Sequence, residues 1–95
     1  MGMKEAYQQK MDARLREWQA KIDELKARAD QAGAEQKLEY YEQIESLRAR
    51  QQKARAQLDE LRSAGEDAWE DVKAGVELAW QDLQDAFERA AAKFK

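Results

Sequence analysis

Histidine, cysteine and proline are all missing from this 95-residue chain, and so are threonine and asparagine. Each absence excludes something. Without histidine there is no imidazole to serve as a general base near neutral pH, no histidine-containing triad, and no Glu-x-x-His pair of the kind that holds two irons in a helical bundle. Without cysteine there is neither a disulfide framework nor thiolate chemistry, and the redox compartment leaves no mark. Without proline nothing obliges a helix to stop. The β-branched residues are only Ile22, Ile44, Val72 and Val76, so strands lack their usual material. Ser46 and Ser63 are the only hydroxyl nucleophiles apart from tyrosine.

Long apolar runs are missing too, so no segment reads as a membrane span. The start Met1-Gly2-Met3-Lys4 has no apolar stretch behind its charge and does not read as a secretory signal. Gly2 sits where an N-myristoylated glycine would, but Ala6 stands where that motif wants Ser or Thr. The first three residues read as a disordered start or cloning remnant, with structure from residue 4, and a cytoplasmic location is expected.

What remains is rich in Ala, Glu, Lys, Arg, Gln and Leu, the strong helix formers. Charged residues make up 39% of the chain and the mean hydropathy is -1.03, so the apolar residues suffice only for a narrow stripe. That stripe is periodic. Met11, Leu15, Trp18, Ile22, Leu25, Ala29 and Ala32 alternate spacings of four and three, a heptad seam. Ile44, Leu47, Gln51, Ala54, Leu58 and Leu61 continue the heptad with a polar, thin centre. Between them the register drifts through Gln36 and Tyr40, which is either a stutter in one helix or a turn. From Leu58 onward the stripe takes an eleven-residue period through Gly65, Trp69, Val72, Val76, Trp80, Leu83, Phe87, Ala91 and Phe94. Trp69 and Trp80 therefore share one helical face, three turns apart.

Acid-before-base pairs four residues apart, at Asp12/Arg16, Glu17/Lys21, Glu24/Arg28 and Asp85/Arg89, support helix on the outer faces. Ser63-Ala-Gly-Glu66 reads as a capping box that restarts the helix, with Glu66, Asp67, Glu70 and Asp71 at its positive end and Lys93 and Lys95 at its negative end. Gly33 is a weaker break, since a glycine inside a helix costs only about 1 kcal/mol. The expectation is an all-α single domain over 1–95: a long coiled-coil helix over 4–62, then a tryptophan-containing amphipathic helix over 66–94. The alternative is a compact three-helix bundle with turns near 33 and 65, and a single unbroken helix stands third. The segment from Arg48 to Gln57 argues against the bundle, because it offers a core little beyond alanine.

No enzyme is expected and no cofactor. Glu66/Glu70 and Asp67/Asp71 are carboxylates one turn apart that suit a loose cation, but acid at a helix start explains them more simply. The run Arg48-Ala-Arg-Gln-Gln-Lys-Ala-Arg55 holds four cations. They spread around the helix, no aromatics interleave with them, and the protein is net -3, so nucleic acid is not expected and a solvated face or a docking surface for acidic segments is preferred. Tyr40 and Tyr41 are adjacent, so at least one ring must leave the seam.

The C-terminal face is too aromatic to stand in water and marks a binding surface. Its cover is lipid or protein. From Ser63 onward there are eight acids against four bases. That balance is repelled by anionic lipid, which leaves a membrane surface as the less favoured partner and protein as the favoured one. Self-association or protein docking is expected through Trp18, Ile22, Leu25, Leu58, Leu61, Trp69, Val72, Val76, Trp80, Leu83, Phe87 and Phe94, giving a homo-oligomer.

Three segments, Glu39-Tyr-Tyr-Glu-Gln-Ile-Glu-Ser-Leu47, Ala64-Gly-Glu-Asp-Ala-Trp-Glu-Asp-Val-Lys-Ala-Gly-Val76 and Ala86-Phe-Glu-Arg-Ala-Ala-Ala-Lys-Phe94, resemble small bacterial coiled-coil proteins of the stress-response type, cyanobacterial members among them. The resemblance spans nearly the whole chain, with the tryptophan-glycine segment its distinctive part. It implies a soluble bacterial helical protein linked to stress, with no catalytic residues to carry over and with ordinary helix formers where this chain has Gly33.

Overall fold

A computed structural model describes residues 2–94. Among them are three helices, α1 (Met3–Asp30), α2 (Ala34–Ser63) and α3 (Trp69–Lys93), and no strand. They fold back on one another as an antiparallel bundle measuring 51 × 19 × 18 Å. Asp12 on α1 pairs with Arg62 on α2, while Tyr41 near the start of α2 hydrogen-bonds Asp30 at the end of α1. Across the second interface, Arg50 reaches Asp82 and Gln57 lies against Gly75, so α2 and α3 are antiparallel as well.

The all-α class is as expected, and of the two leading architectures the chain adopts the three-helix bundle. The long helix over 4–62 is corrected: it breaks at Gln31, Ala32 and Gly33. The break needs no unusual backbone. Gly33 has φ -65° and ψ 161°, no described residue has positive φ, and a Cβ on Gly33 would meet nothing within 4 Å. The amides of Gln31 and Ala32 donate to the carbonyls of Arg28 and Ala29, and Lys37 restarts the helical pattern on the Gly33 carbonyl at 2.8 Å. Local preference at Gly33 amounts to about 1 kcal/mol. Burying each large apolar side chain of α1 is worth about 1.5–3 kcal/mol, and Met11, Leu15, Trp18, Ile22 and Leu25 are all buried. Packing therefore decides for the turn.

The second break lies where it was read, but its chemistry differs. Ser63 is the last residue of α2, and α3 begins after Ala68 with no side-chain cap. The carbonyl of Gly65 takes the amides of Ala68 and Trp69, so backbone rather than a capping box starts the last helix. Glu70 and Asp71 do stand in its first turn and Lys93 in its last, as the helix dipole favours. Lys95 lies outside the described residues. The carbonyls that α2 leaves open are met from α1, where the Lys4 ammonium donates to the carbonyls of Arg62 and Ala64. Helix α1 starts at Met3, one residue earlier than expected.

Helix α2 lies close to both neighbours, whereas α1 and α3, which run parallel, keep their backbones farther apart. Aromatic rings fill that wider gap. Trp18 meets Trp80 edge-on at 5.9 Å and Phe87 edge-on at 4.8 Å, and Tyr7 meets Trp69 at 6.3 Å. This geometry removes the objection raised by the thin segment of α2. Gln51 and Ala54 are its only buried residues between Leu47 and Leu58. Small side chains there let α2 sit close, and the volume comes from indoles on the other two helices.

Candidate functional site

The twelve residues expected to form a partner face come together inside a single chain. Trp18, Ile22, Leu25, Leu58, Leu61, Trp69, Val76, Trp80, Leu83 and Phe94 are buried, and Val72 and Phe87 are half-buried against the same core. The apolar face of α3 is covered by α1 and α2. It is also wider than a single stripe, since Ala79, Ala86 and Ala90 are buried beside it. Their alanine identity hid them, because alanine is common on both faces of a helix. Tyr7 is a further core residue that the heptad reading missed.

Polar tips rim this core. The Tyr7 hydroxyl donates to Glu77 at 2.6 Å, and burial with that hydrogen bond pushes the phenol well above its usual range. Lys21 stands 4.7 Å from the centre of the Trp18 ring, Arg14 stands 5.6 Å from that of Trp80, and Lys73 stands 5.1 Å from that of Tyr7. These cations lie over the faces of two indoles and one phenol in cation-π contacts. Of the adjacent tyrosines, Tyr40 stacks on Phe94 at 4.1 Å, and Tyr41 turns out to bridge the first turn through Asp30. The Asp30 carboxylate raises the Tyr41 phenol as well.

What faces water is charge, unevenly distributed. The basic run is split by the helix: Arg50 leans toward α3 and pairs with Asp82 at 2.9 Å, and Lys53 lines the groove between α2 and α3. Arg48 and Arg55 face α1 instead. With Arg62 they form a file at seven-residue intervals, about 10.5 Å apart along the helix. The groove between α1 and α2 opens over Leu15 and Leu58 among Asp12, Arg16, Arg55, Asp59 and Arg62. Both of its acids are engaged by Arg62, whose guanidinium bonds Asp12 and lies 3.3 Å from Asp59. Arg16, Arg48 and Arg55 have no ion-pair partner among the described residues. Farther along, the groove narrows to a cleft of about 150 Å³ lined by Gln19, Arg48, Gln51, Gln52 and Arg55. Gln51 is only 5% exposed, and its amide nitrogen has no hydrogen-bond partner.

Of the four outer acid-base pairs read from the sequence, only Glu24 and Arg28 come together, at 3.6 Å. Asp12 is drawn to α2, and Asp85 accepts from Gln81.

Ser46 and Ser63 are exposed, and neither makes a side-chain hydrogen bond to a base among the described residues. Among the described residues no three acids cluster to hold a metal ion, and no helix is long and apolar enough to cross a membrane. The described residues define an antiparallel three-helix bundle whose exterior carries charge of both signs. No protein-family model matches the chain, and comparisons with curated proteins and with solved structures found no significant match.

Proposed function

We propose that this is a cytoplasmic, non-enzymatic helical interaction protein whose partners, a second copy of itself among them, meet the outside of the bundle. One observation carries the reading: the groove between α1 and α2 presents unpaired arginines at Arg16, Arg48 and Arg55, while the turn before α3 exposes Glu66 and Asp67 and α3 itself exposes Glu70, Asp71, Asp85 and Glu88. A basic groove and an acidic ridge on one molecule are complementary between copies, and such charge gives register and fast encounter more than raw affinity. Contact of two different patches is head-to-tail and extends into rings or chains. A stress-related role, which the sequence resemblance implies, belongs to the same proposal.

Molar mass by light scattering across protein and salt concentration tests this. In about 20 mM salt the mass rises with concentration above the 11.0 kDa of one chain, and in about 500 mM salt it falls back, as screening demands. A constant 11.0 kDa throughout would sink self-association.

The lipid-surface reading requires the bundle to open, because Trp69, Val76, Trp80 and Leu83 are covered by the chain itself. Tryptophan emission with neutral and anionic vesicles distinguishes the two. Only an opened bundle changes its emission.

A further inference from the structure

The cleft between α1 and α2 holds a chemical imbalance that packing does not explain. Its walls join two cationic donors, Arg48 and Arg55, to the amides of Gln19, Gln51 and Gln52, and hold no carboxylate. Arg48 and Arg55 contribute two guanidiniums that can only donate, and neither has a carboxylate partner among the described residues. Gln51 lines the same cleft, and its buried amide nitrogen lacks an acceptor. Gln19 is not free to help, since its amide nitrogen already donates to Asp23 at 2.9 Å. Arg16 lies across the adjoining groove and adds positive field, because the two acids there are engaged by Arg62. Buried polar groups are ordinarily satisfied, and a buried orphan donor beside two unpaired cations asks for an acceptor from outside the chain.

We propose that the cleft at Arg48, Gln51 and Arg55 binds a small oxyanion of the size and charge of inorganic phosphate. Two guanidiniums grip its oxygens from the rim by charge-assisted hydrogen bonds. The Gln51 amide, whose terminal torsion is soft, turns its nitrogen to a third oxygen from the floor. The space of about 150 Å³ matches a tetrahedral anion with one or two waters. Occupancy neutralises the most concentrated positive charge on the groove, so the site also supplies a way for a soluble anion to weaken contact with acidic partners. That consequence rests on the reading above; the binding site itself does not.

The test titrates inorganic phosphate into the full chain against chloride at constant ionic strength. Two signals are followed: the side-chain amide resonances of Gln51 and the melting temperature. Phosphate also strengthens burial generally by exclusion from protein surfaces, which raises the melting point of any variant alike. The site-specific part is the excess in the wild type over Arg48→Gln/Arg55→Gln, a surface double variant that leaves the core intact. The wild type should show a saturable shift of the Gln51 amide and an excess rise in melting temperature. The double variant should bind at least tenfold more weakly. Gln51→Leu, which removes the orphan donor, should melt higher than wild type without phosphate and lose the excess rise with it. Equal melting shifts in wild type and both variants, with a motionless Gln51 amide, would overturn the proposal. So would an equal response to glutamate at the same ionic strength, which assigns the cleft to carboxylates. Light scattering on the same samples keeps the two ideas apart, because saturable phosphate binding by an 11.0 kDa monomer upholds the site while self-association fails.

Discussion

Trp18 is the side chain on which the middle of the bundle depends. It touches Trp80 and Phe87 on α3 and sits level with the segment of α2 that contributes only Gln51 and Ala54. Nothing else nearby is large enough to refill its volume, so Trp18→Ala should cost about 3–5 kcal/mol, a large part of the stability of a domain this size. Chemical denaturation checks it, and a loss below about 1 kcal/mol would show that the two helices close over the gap. Tyr7 makes a prediction about pH. Its folded-state pKa lies above the ordinary 10.0 because burial and the bond to Glu77 favour the neutral phenol, while Arg14 nearby pulls the other way. A raised acid pKa contributes stability that is complete below the unfolded value near 10.0 and is lost as pH climbs toward the folded one. Stability should therefore fall above about pH 10, more steeply in the wild type than in Tyr7→Phe. Thermal melts from pH 8 to 11 measure the difference, and parallel curves would remove Tyr7 from the explanation.

At the scale of elements, the breaks are where sequence and structure diverge most usefully. Gly33 occupies an N-cap position with extended backbone, open space around its α-carbon and no side chain to cap α2. Aspartate fits that conformation and can accept the free amides of the first turn. Gly33→Asp should stabilise the bundle by about 0.5–1 kcal/mol, combining the cap with the lost flexibility of glycine in the unfolded chain. That amounts to a rise of about 2–8 °C in Tm for a chain of this length. An unchanged or lower Tm would mean that the turn is held by something other than this backbone. The register drift between Ala29 and Ile44 was the visible sign of the turn, yet a stutter in a continuous helix has the same spacing. Similarly, Ser63 and Glu66 have the spacing of a capping box, but Lys4 and the Gly65 carbonyl do the work at that corner. Neither partner can be inferred from the motif, since one lies 60 positions away and the other is backbone.

For the molecule as a whole, the same seam residues serve either a monomer or an assembly, and only the path of the chain chooses between them. Each helix has an apolar stripe that must be covered, and two short turns bring the covers within one chain. The surface left over is then the part open to partners. Its division into an arginine groove and an acidic α3 could be seen in composition as a basic run and an acidic C-terminal third. It could not be seen as sites. Which arginines face α1 and which face α3 depends on the angle at which α2 sits, and Arg50 and Arg55 differ in fate for that reason alone.

The sequence by itself determined that the protein is helical, that its helices are amphipathic, which residues make the stripe, and that the second break falls near Gly65. These are properties of local preference and of a period, and both are written along the chain. The tertiary structure decided that the helix also turns at Gly33, that Trp18 packs against Trp80 and Trp69 against Tyr7 within one molecule, and that Gln51 is left with an unanswered amide at the bottom of a cationic cleft. Those outcomes depend on volumes and charges meeting across helices tens of residues apart. A glycine worth about 1 kcal/mol cannot announce such a choice in advance. It is made by the sum of side chains that become buried once the chain has turned.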